Sequence, residues 1–231
     1  MTPLERANRM ASRGLVVTII GLVALVGVYV RALAFTPLER FQGPAQKIFY
    51  VHVPAAWCAL LAFGLVGIIS VFYLWLKDPR LDLFSASAAE VGVAFSVVML
   101  TTGPLWGKPV WGTWWTWDAR LTLTLFLFFL FVGYLLLRNT VTEPTQRARH
   151  SAVLGIAGLL LIPFIHVSVY LFRTLHPEPI ILKPSRPSLP GSMLVTLMTS
   201  LAVFTVLLMG FLMQRYGLAL MRAAHEERAN A

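Results

Sequence analysis

The sequence contains little cysteine and little charge. Cys58 is the one cysteine among 231 residues, so the chain cannot form an internal disulfide or a CxxC metal or redox pair. Only 13% of the residues are charged, which is about half the share found in an average soluble domain. The phosphate-binding pattern G-x-x-x-x-G-K-[ST] is also missing. These absences exclude a disulfide-stabilised secreted domain, a paired-thiol centre and a P-loop ATPase.

Apolar residues, in contrast, make up 58% of the chain and fall into long runs. A helix needs about 20 apolar residues to cross a bilayer. Six runs approach or exceed that length: Leu15–Phe35, Ile48–Leu76, Leu83–Leu105, Leu121–Leu137, Ser151–Phe172 and Met193–Met213. We therefore expect an all-α polytopic membrane helix bundle with about six transmembrane helices. No separate soluble domain is evident, so residues 1–231 are predicted to form a single integral membrane domain.

The net charge of +9 is consistent with a membrane protein. Lys and Arg lie mainly in loops and at helix ends, where anionic lipid headgroups attract them, so we expect no nucleic-acid partner. They are slightly more frequent on the side that holds the N-terminus, which predicts that both termini are cytoplasmic. The first run imitates a signal peptide with an A-x-A site at Ala32–Ala34. Its length and the interruption at Arg31 favour an uncleaved helix.

The connections on the opposite side of the membrane have an unusual composition. Thr36–Lys47 is followed at once by His52, Trp106–Arg120 is rich in tryptophan, and Arg173–Pro190 contains His176 among five prolines. The connections on the N-terminal side, Lys77–Asp82 and Arg138–His150, are polar and ordinary in composition. This asymmetry indicates that the function of the protein is located on the outer face.

The second of these connections contains five of the seven tryptophans. They are Trp106, Trp111, Trp114, Trp115 and Trp117. An interfacial aromatic belt explains one or two tryptophans in a loop, but it does not easily explain five. Flat indole rings separated by small residues such as Gly107 and Gly112 form an apolar shelf suited to a large planar aromatic ligand. Asp118 is predicted to cap the helix that follows, and Arg120 is a nearby cation.

His52 and His176 are predicted to lie at outer helix ends, on either side of the tryptophan-rich segment in sequence. Neutral imidazole is a common axial ligand of haem iron, and two imidazoles on opposite faces would give a six-coordinate site. The alternative for each histidine taken alone is an interfacial residue that is hydrogen-bonded to the backbone. His166 would lie about 15 Å from His176 along a continuous helix, which is too far for the two to share one iron site readily. A structural role is therefore favoured for His166.

Cations near this face are candidates to meet the two carboxylates of haem. These candidates are Lys108, Arg120, Arg173, Lys183 and Arg186. Each of them alone is also explained as an interface anchor, so the sequence leaves open which of them has that role.

Several segments resemble one protein family. The run Trp111–Thr122, with its WWTWD core, resembles the WWD signature of haem-handling proteins of cytochrome c maturation. The stretches His52–Ala56, Trp106–Pro109 and Thr174–His176 resemble the corresponding parts of the CcmC family, in the same order and with similar spacing. The resemblance covers most of the chain, and the six predicted spans agree with it.

The resemblance implies a multi-pass protein of the bacterial inner membrane that binds haem b non-covalently at its periplasmic face. His52 and His176 would be the axial ligands, consistent with the absence of a CxxCH attachment motif. The WWD loop, at about residues 104–120, would hold the porphyrin. The residues implied in haem binding there are Trp106, Trp111, Gly112, Trp114, Trp115, Trp117, Asp118 and Arg120.

The resemblance also implies partners. Haem would be presented for covalent loading onto the chaperone CcmE, within an ABC-type complex that includes CcmA, CcmB and CcmD. Since the chain has no ATPase motif, we expect a haem-presenting subunit rather than an enzyme. Two alternatives remain open. One is a transmembrane haem translocator that uses His166 and Glu90, and the other is a purely structural membrane subunit.

Overall fold

Six long helices build the protein in the computed structural model, which describes residues 2–177, 181, 183, 185 and 187–229. The helices are α1 (Pro3–Val30), α2 (Phe49–Leu76), α3 (Pro79–Trp111), α4 (Ala119–Thr140), α5 (Pro144–Leu171) and α6 (Gly191–Ala229). Each of the six, counting the helical turns contiguous with α1 and α2, is long and apolar enough to cross a membrane. The described residues form no β-strand. The predicted all-α polytopic fold is therefore confirmed, and the chain is a multi-pass membrane protein.

Polar residues in the connections define where the helices begin. Asp78 and Glu143 accept backbone N–H groups at the starts of α3 and α5, and each of them is followed by a proline that suits the first helical position. Asp118 does the same for α4, where its carboxylate accepts the N–H of Leu121 at 3.1 Å. The predicted capping role of Asp118 is confirmed.

The structure corrects the predicted extent of the tryptophan-rich loop. Helix α3 continues through Pro104 and Pro109 to Trp111, so the first part of the segment 104–120 is helical. The buried Trp106 ring packs edge-on against Phe49 of α2, which anchors this part of the helix to its neighbour. The helix ends at Gly112, whose φ of +77° is left-handed and therefore favours glycine.

Helices α1 and α6 form a closely packed antiparallel pair. A Cβ atom added at Gly210 of α6 would lie 2.5 Å from the Thr18 hydroxyl of α1, so the absence of a side chain at Gly210 allows the helices to approach closely. Gly14 and Gly217 make similar approaches along the same pair. The Gln214 amide donates to the Thr18 hydroxyl at 2.7 Å and links the two helices within the apolar region.

Helices α2 to α5 surround the rest of the core. Within this group, α2 packs against both α3 and α5. The rings of Phe63 and Phe131 stack at 3.8 Å between α2 and α4. Toward the end of α4 that lies far from Asp118, Arg138 forms a bidentate ion pair with Asp82 of α3. This pair joins α3 to α4 there, while the opposite ends of the same helices separate around a cavity.

Candidate functional site

A cavity opens at the end of the bundle opposite the N-terminus, between α2, α3, α4, α5 and the segment that follows α5. The space within it is about 820 Å³ when the part open to solvent is included. Its lining is mainly apolar. The lining residues are His52, Ala56, Leu60, Met99, Leu100, Gly103, Pro104, Trp106, Trp111, Thr113, Trp114, Trp115, Thr116, Arg120, Leu121, Thr124, Ile165 and His176.

His52 lies in the first turn of α2 and is held by α3. Its Nδ1 atom lies 3.1 Å from the Met99 carbonyl oxygen and 3.1 Å from the Thr102 hydroxyl. A carbonyl oxygen only accepts hydrogen bonds, so Nδ1 carries the proton and Nε2 keeps its lone pair. The imidazole also packs edge-on against Trp106, with ring centroids 5.7 Å apart. The tautomer and the orientation of this ring are thus set by two helices.

His176 lies in the segment after α5 and is held by its own neighbours. Its Nδ1 atom lies 2.9 Å from the Pro177 carbonyl oxygen, and its backbone N–H donates to the Thr174 hydroxyl at 3.1 Å. The same reasoning gives an Nδ1–H tautomer with a free Nε2 lone pair. Desolvation, and then the nearby Arg120 guanidinium, lower the pKa of His176 to about 3. The imidazole is therefore neutral at physiological pH, as a metal ligand must be.

The tryptophans of the segment 106–117 divide into two groups. Trp106, Trp111, Trp114 and Trp115 line the cavity. Trp106 is only 7% exposed, and its indole N–H donates to the Gln42 side chain at 3.0 Å. Trp117 is 77% exposed and contacts the edge of Trp115 from outside the cavity. The aromatic lining is therefore smaller by one ring than the sequence predicted.

Most of the site residues predicted from the sequence meet at this cavity. Those that line it are His52, Trp106, Trp111, Trp114, Trp115, Arg120 and His176. Gly112, Trp117 and Asp118 do not line it; Gly112 ends α3 and Asp118 starts α4. A haem-binding role for any of these ten residues stays a prediction.

Among the residues that the structure describes, Arg120 is the cation that lines the cavity. It is half-buried, and its guanidinium donates to the Ile165 carbonyl oxygen at 3.4 Å. Lys108 lies outside the lining, over the Trp114 ring. Arg173 is exposed, Lys183 donates to the Ser188 hydroxyl, and Arg186 lies outside the described residues. Of the five candidate carboxylate partners, Arg120 is thus the one best supported by position.

His166 and Glu90 do not belong to this cavity. His166 lies on α5 beside the lining residue Ile165 but is not itself part of the lining. Glu90 forms an ion pair with Arg215 of α6. Neither residue extends the cavity into a polar path through the apolar region.

Several residues of the site carry no motif that sequence reasoning could use. Thr102 and Met99 hold the His52 ring, and Gly103 makes room for it, since an added Cβ would lie 3.1 Å from the His52 Cε1 atom. Ile165 closes the cavity from α5. In the sequence these residues belong to ordinary apolar runs. The glycine–proline pair at 103–104, inside a predicted helix, is the one sequence signal that could have indicated a close approach here.

The sequence is similar to those of one known protein family. The family model of CcmC, described as "Heme exporter protein C", matches residues 3–230. A relative from Bradyrhizobium diazoefficiens, named "Heme exporter protein C", is 39% identical over 182 residues, covering 79% of this chain and 68% of that protein. The protein of the same name from Haemophilus influenzae is 37% identical over 201 residues, covering 87% and 82% of the two chains.

A plant relative extends the comparison beyond bacteria. The "Putative cytochrome c biosynthesis ccmC-like mitochondrial protein" of Marchantia polymorpha is 40% identical over 168 residues, covering 73% of this chain and 71% of that protein.

Proposed function

The chain belongs to the Heme exporter protein C (CcmC) family, and we propose that it binds haem in the cavity between His52 and His176 and presents it to a haem chaperone. The family gives the broader role, which is haem handling for cytochrome c maturation within the Ccm haem exporter complex. The proposal adds the residues that bind the iron, the face of the membrane at which haem is bound and the partner that receives the haem.

The observation that carries the proposal is the pairing of two histidines distant in sequence at one cavity. Both His52 and His176 line it, and in each the Nδ1–H is bound to a backbone carbonyl oxygen. This arrangement leaves two neutral Nε2 lone pairs available, which are the donors that bis-histidine ligation of iron requires. Met99 also lines the cavity and its thioether is a further potential iron donor, but among the described lining residues only the histidines offer a matched pair.

The remaining lining fits the organic part of haem b. Trp111, Trp114 and Trp115 offer aromatic faces and edges to a planar macrocycle. The Arg120 guanidinium would meet a haem carboxylate through charge-assisted hydrogen bonds. The indole N–H of the half-buried Trp115 has no partner within the described residues, so it remains as a donor for a bound group.

The contribution of the chain would be orientation. Two side chains that fix both faces of the iron, together with an aromatic wall, would hold the macrocycle in one pose and leave one of its edges accessible. Such positioning lowers the barrier of a reaction between two partners without an acid or base on the scaffold. The bound haem supplies the reactive vinyl group, while this chain binds, orients and shields.

The membrane orientation follows from the same proposal. His52 lies at the start of α2 and His176 after α5, so both belong to the end of the bundle opposite the N-terminus. With cytoplasmic termini, this end faces the periplasm of a bacterial inner membrane. The three arginines that precede the first apolar run support this orientation.

The proposed partners are CcmE, which would receive the haem, and CcmA, CcmB and CcmD, which would complete the complex. ATP hydrolysis would come from a partner, since the chain has no P-loop. The translocator alternative receives less support, because Glu90 is paired with Arg215 and His166 is not part of the cavity lining.

The test is an absorption spectrum of the detergent-purified protein, co-expressed with its chaperone. We expect a low-spin, six-coordinate spectrum for the wild type, a five-coordinate or weakened spectrum for His52→Ala and for His176→Ala, and loss of haem in the double variant. Unchanged haem in all three variants would refute the ligand assignment. A well-folded wild-type protein that never retains haem would favour the structural subunit.

A further inference from the structure

Thr102 is in contact with His52 but does not line the cavity. Its hydroxyl lies 3.1 Å from the His52 Nδ1 atom, while the cavity is lined by its neighbours Gly103 and Pro104. We infer that Thr102 is a positioning residue that holds His52 in its metal-binding tautomer and tunes its strength as a ligand. This inference rests on the proposed function, because it concerns haem iron bound by His52.

The hydrogen-bond directions around Thr102 are determined by the helix. The Thr102 hydroxyl donates its single proton to the Val98 carbonyl oxygen one turn earlier, at 2.7 Å. With that proton in use, the hydroxyl faces His52 as an acceptor. The Met99 carbonyl oxygen, also 3.1 Å from Nδ1, is an acceptor by nature. His52 therefore donates its Nδ1–H to two acceptors at once.

Two acceptors have a chemical consequence at the opposite nitrogen. A hydrogen bond from Nδ1–H increases the basicity of the ring and hence its strength as a donor to a metal through Nε2. It also prevents the alternative tautomer, in which Nε2 would carry the proton and be unable to bind iron. A stronger donor stabilises ferric iron more than ferrous iron, so Thr102 is expected to lower the reduction potential of the bound haem.

The other histidine has a different arrangement. The His176 Nδ1–H donates to the carbonyl oxygen of Pro177, the next residue in the chain, and no side chain acts as a second acceptor among the described residues. The two proposed ligands thus differ in the number of hydrogen-bond acceptors at Nδ1, and Thr102 accounts for that difference. Its effect should therefore be confined to the face of the haem that His52 binds.

The chain provides a matched control for this inference. Thr101 is the preceding residue on α3, it is exposed, and its hydroxyl donates to the Val97 carbonyl oxygen at 2.7 Å in the same way. It makes no hydrogen bond to His52. Thr102→Val and Thr101→Val therefore remove the same group from the same helix, while Thr102→Ser keeps the acceptor.

The first measurement uses haem titration and spectroelectrochemistry of the purified full-length chain in detergent. We expect Thr102→Val to bind haem about tenfold more weakly, at the lower limit of the effect of losing such a partner of a metal-bound histidine. We also expect its reduction potential to be higher. Thr102→Ser and Thr101→Val should match the wild type. Equal behaviour of Thr102→Val and Thr101→Val in both measurements would overturn the inference.

A second measurement separates this inference from the proposed function. In haem-free protein labelled with ¹⁵N-histidine, NMR reports directly which ring nitrogen of His52 carries the proton. We expect the Nδ1–H resonance to shift upfield in Thr102→Val and to stay in place in Thr102→Ser and Thr101→Val. If haem binds without His52, the ligand assignment fails while this NMR result still stands. An unshifted resonance in Thr102→Val refutes the role of Thr102, whatever haem does.

Discussion

The two sides of the cavity are built in different ways. The helical wall consists of α2 and the C-terminal half of α3, where His52 is held across two helices by Met99 and Thr102. The loop wall consists of residues 113–116 and His176, and within the described part of the chain His176 forms hydrogen bonds with its own neighbours. A ligand group on packed helices is pre-ordered, whereas one on a connecting segment must be ordered when its ligand binds. The site therefore combines one fixed side with one adjustable side.

The largest expected effect is an inequality between the two histidines. We expect His52→Ala to weaken haem binding about tenfold more than His176→Ala, because ordering a free segment costs about 1 kcal/mol or more of the energy that His176 gains. Titration of haem into each purified variant measures the difference, and added imidazole should restore a six-coordinate spectrum in both. Equal losses would show that the two walls are equally pre-ordered.

The next effect concerns the tryptophans of the loop wall. Trp115 lines the cavity, whereas Trp117 is 77% exposed and outside it. We expect Trp115→Ala to weaken haem binding about tenfold through lost aromatic contact. Trp117→Ala serves as the control and should change the affinity less than about twofold. A larger loss of haem affinity for Trp117→Ala would support the five-ring shelf predicted from the sequence.

The smallest effect concerns the fit of the helical wall around His52. A Cβ atom at Gly103 would lie 3.1 Å from the His52 Cε1 atom, so Gly103→Ala must displace the ring by a few tenths of an ångström. We expect about fivefold weaker haem binding, at the lower end of the cost of overpacking, with altered EPR g-values for low-spin ferric haem.

Gly64→Ala is the matched control for the helical wall. Gly64 lies on α2, the helix of His52, and an added Cβ there would meet no atom within 4 Å. Its affinity and EPR spectrum should equal those of the wild type. If Gly103→Ala also leaves both unchanged, the ring of His52 is free to move and the distinction between a fixed and an adjustable wall fails.

The helices could be predicted well because a bilayer imposes a simple rule. Every apolar run expected to cross it is a helix, and the capping residue Asp118 was recognised from its position. The ends were less accurate. Helix α1 begins at Pro3 and α6 continues to Ala229, beyond the apolar runs, because helices extend into water where no hydrophobic signal marks them.

The site was predicted in part for a related reason. His52, His176 and four tryptophans could be grouped because they share one end of the bundle and have distinctive chemistry. The direction in which Trp117 points depends on packing between distant segments, which local sequence does not encode. Thr102 and Gly103 were missed because threonine and glycine are ordinary in membrane helices, and their contact with His52 exists only after α2 and α3 have packed.

The close pairing of α1 with α6 has a consequence for biosynthesis. Helix α1 is synthesised before α2 to α5 but packs against α6, which is synthesised after them, so its glycine face has no permanent partner while α2 to α5 are inserted. At typical synthesis rates of about 5–20 residues per second, this interval lasts on the order of 10–40 seconds. The cavity-forming helices can therefore assemble first, and the synthesis of α6 closes the bundle around them.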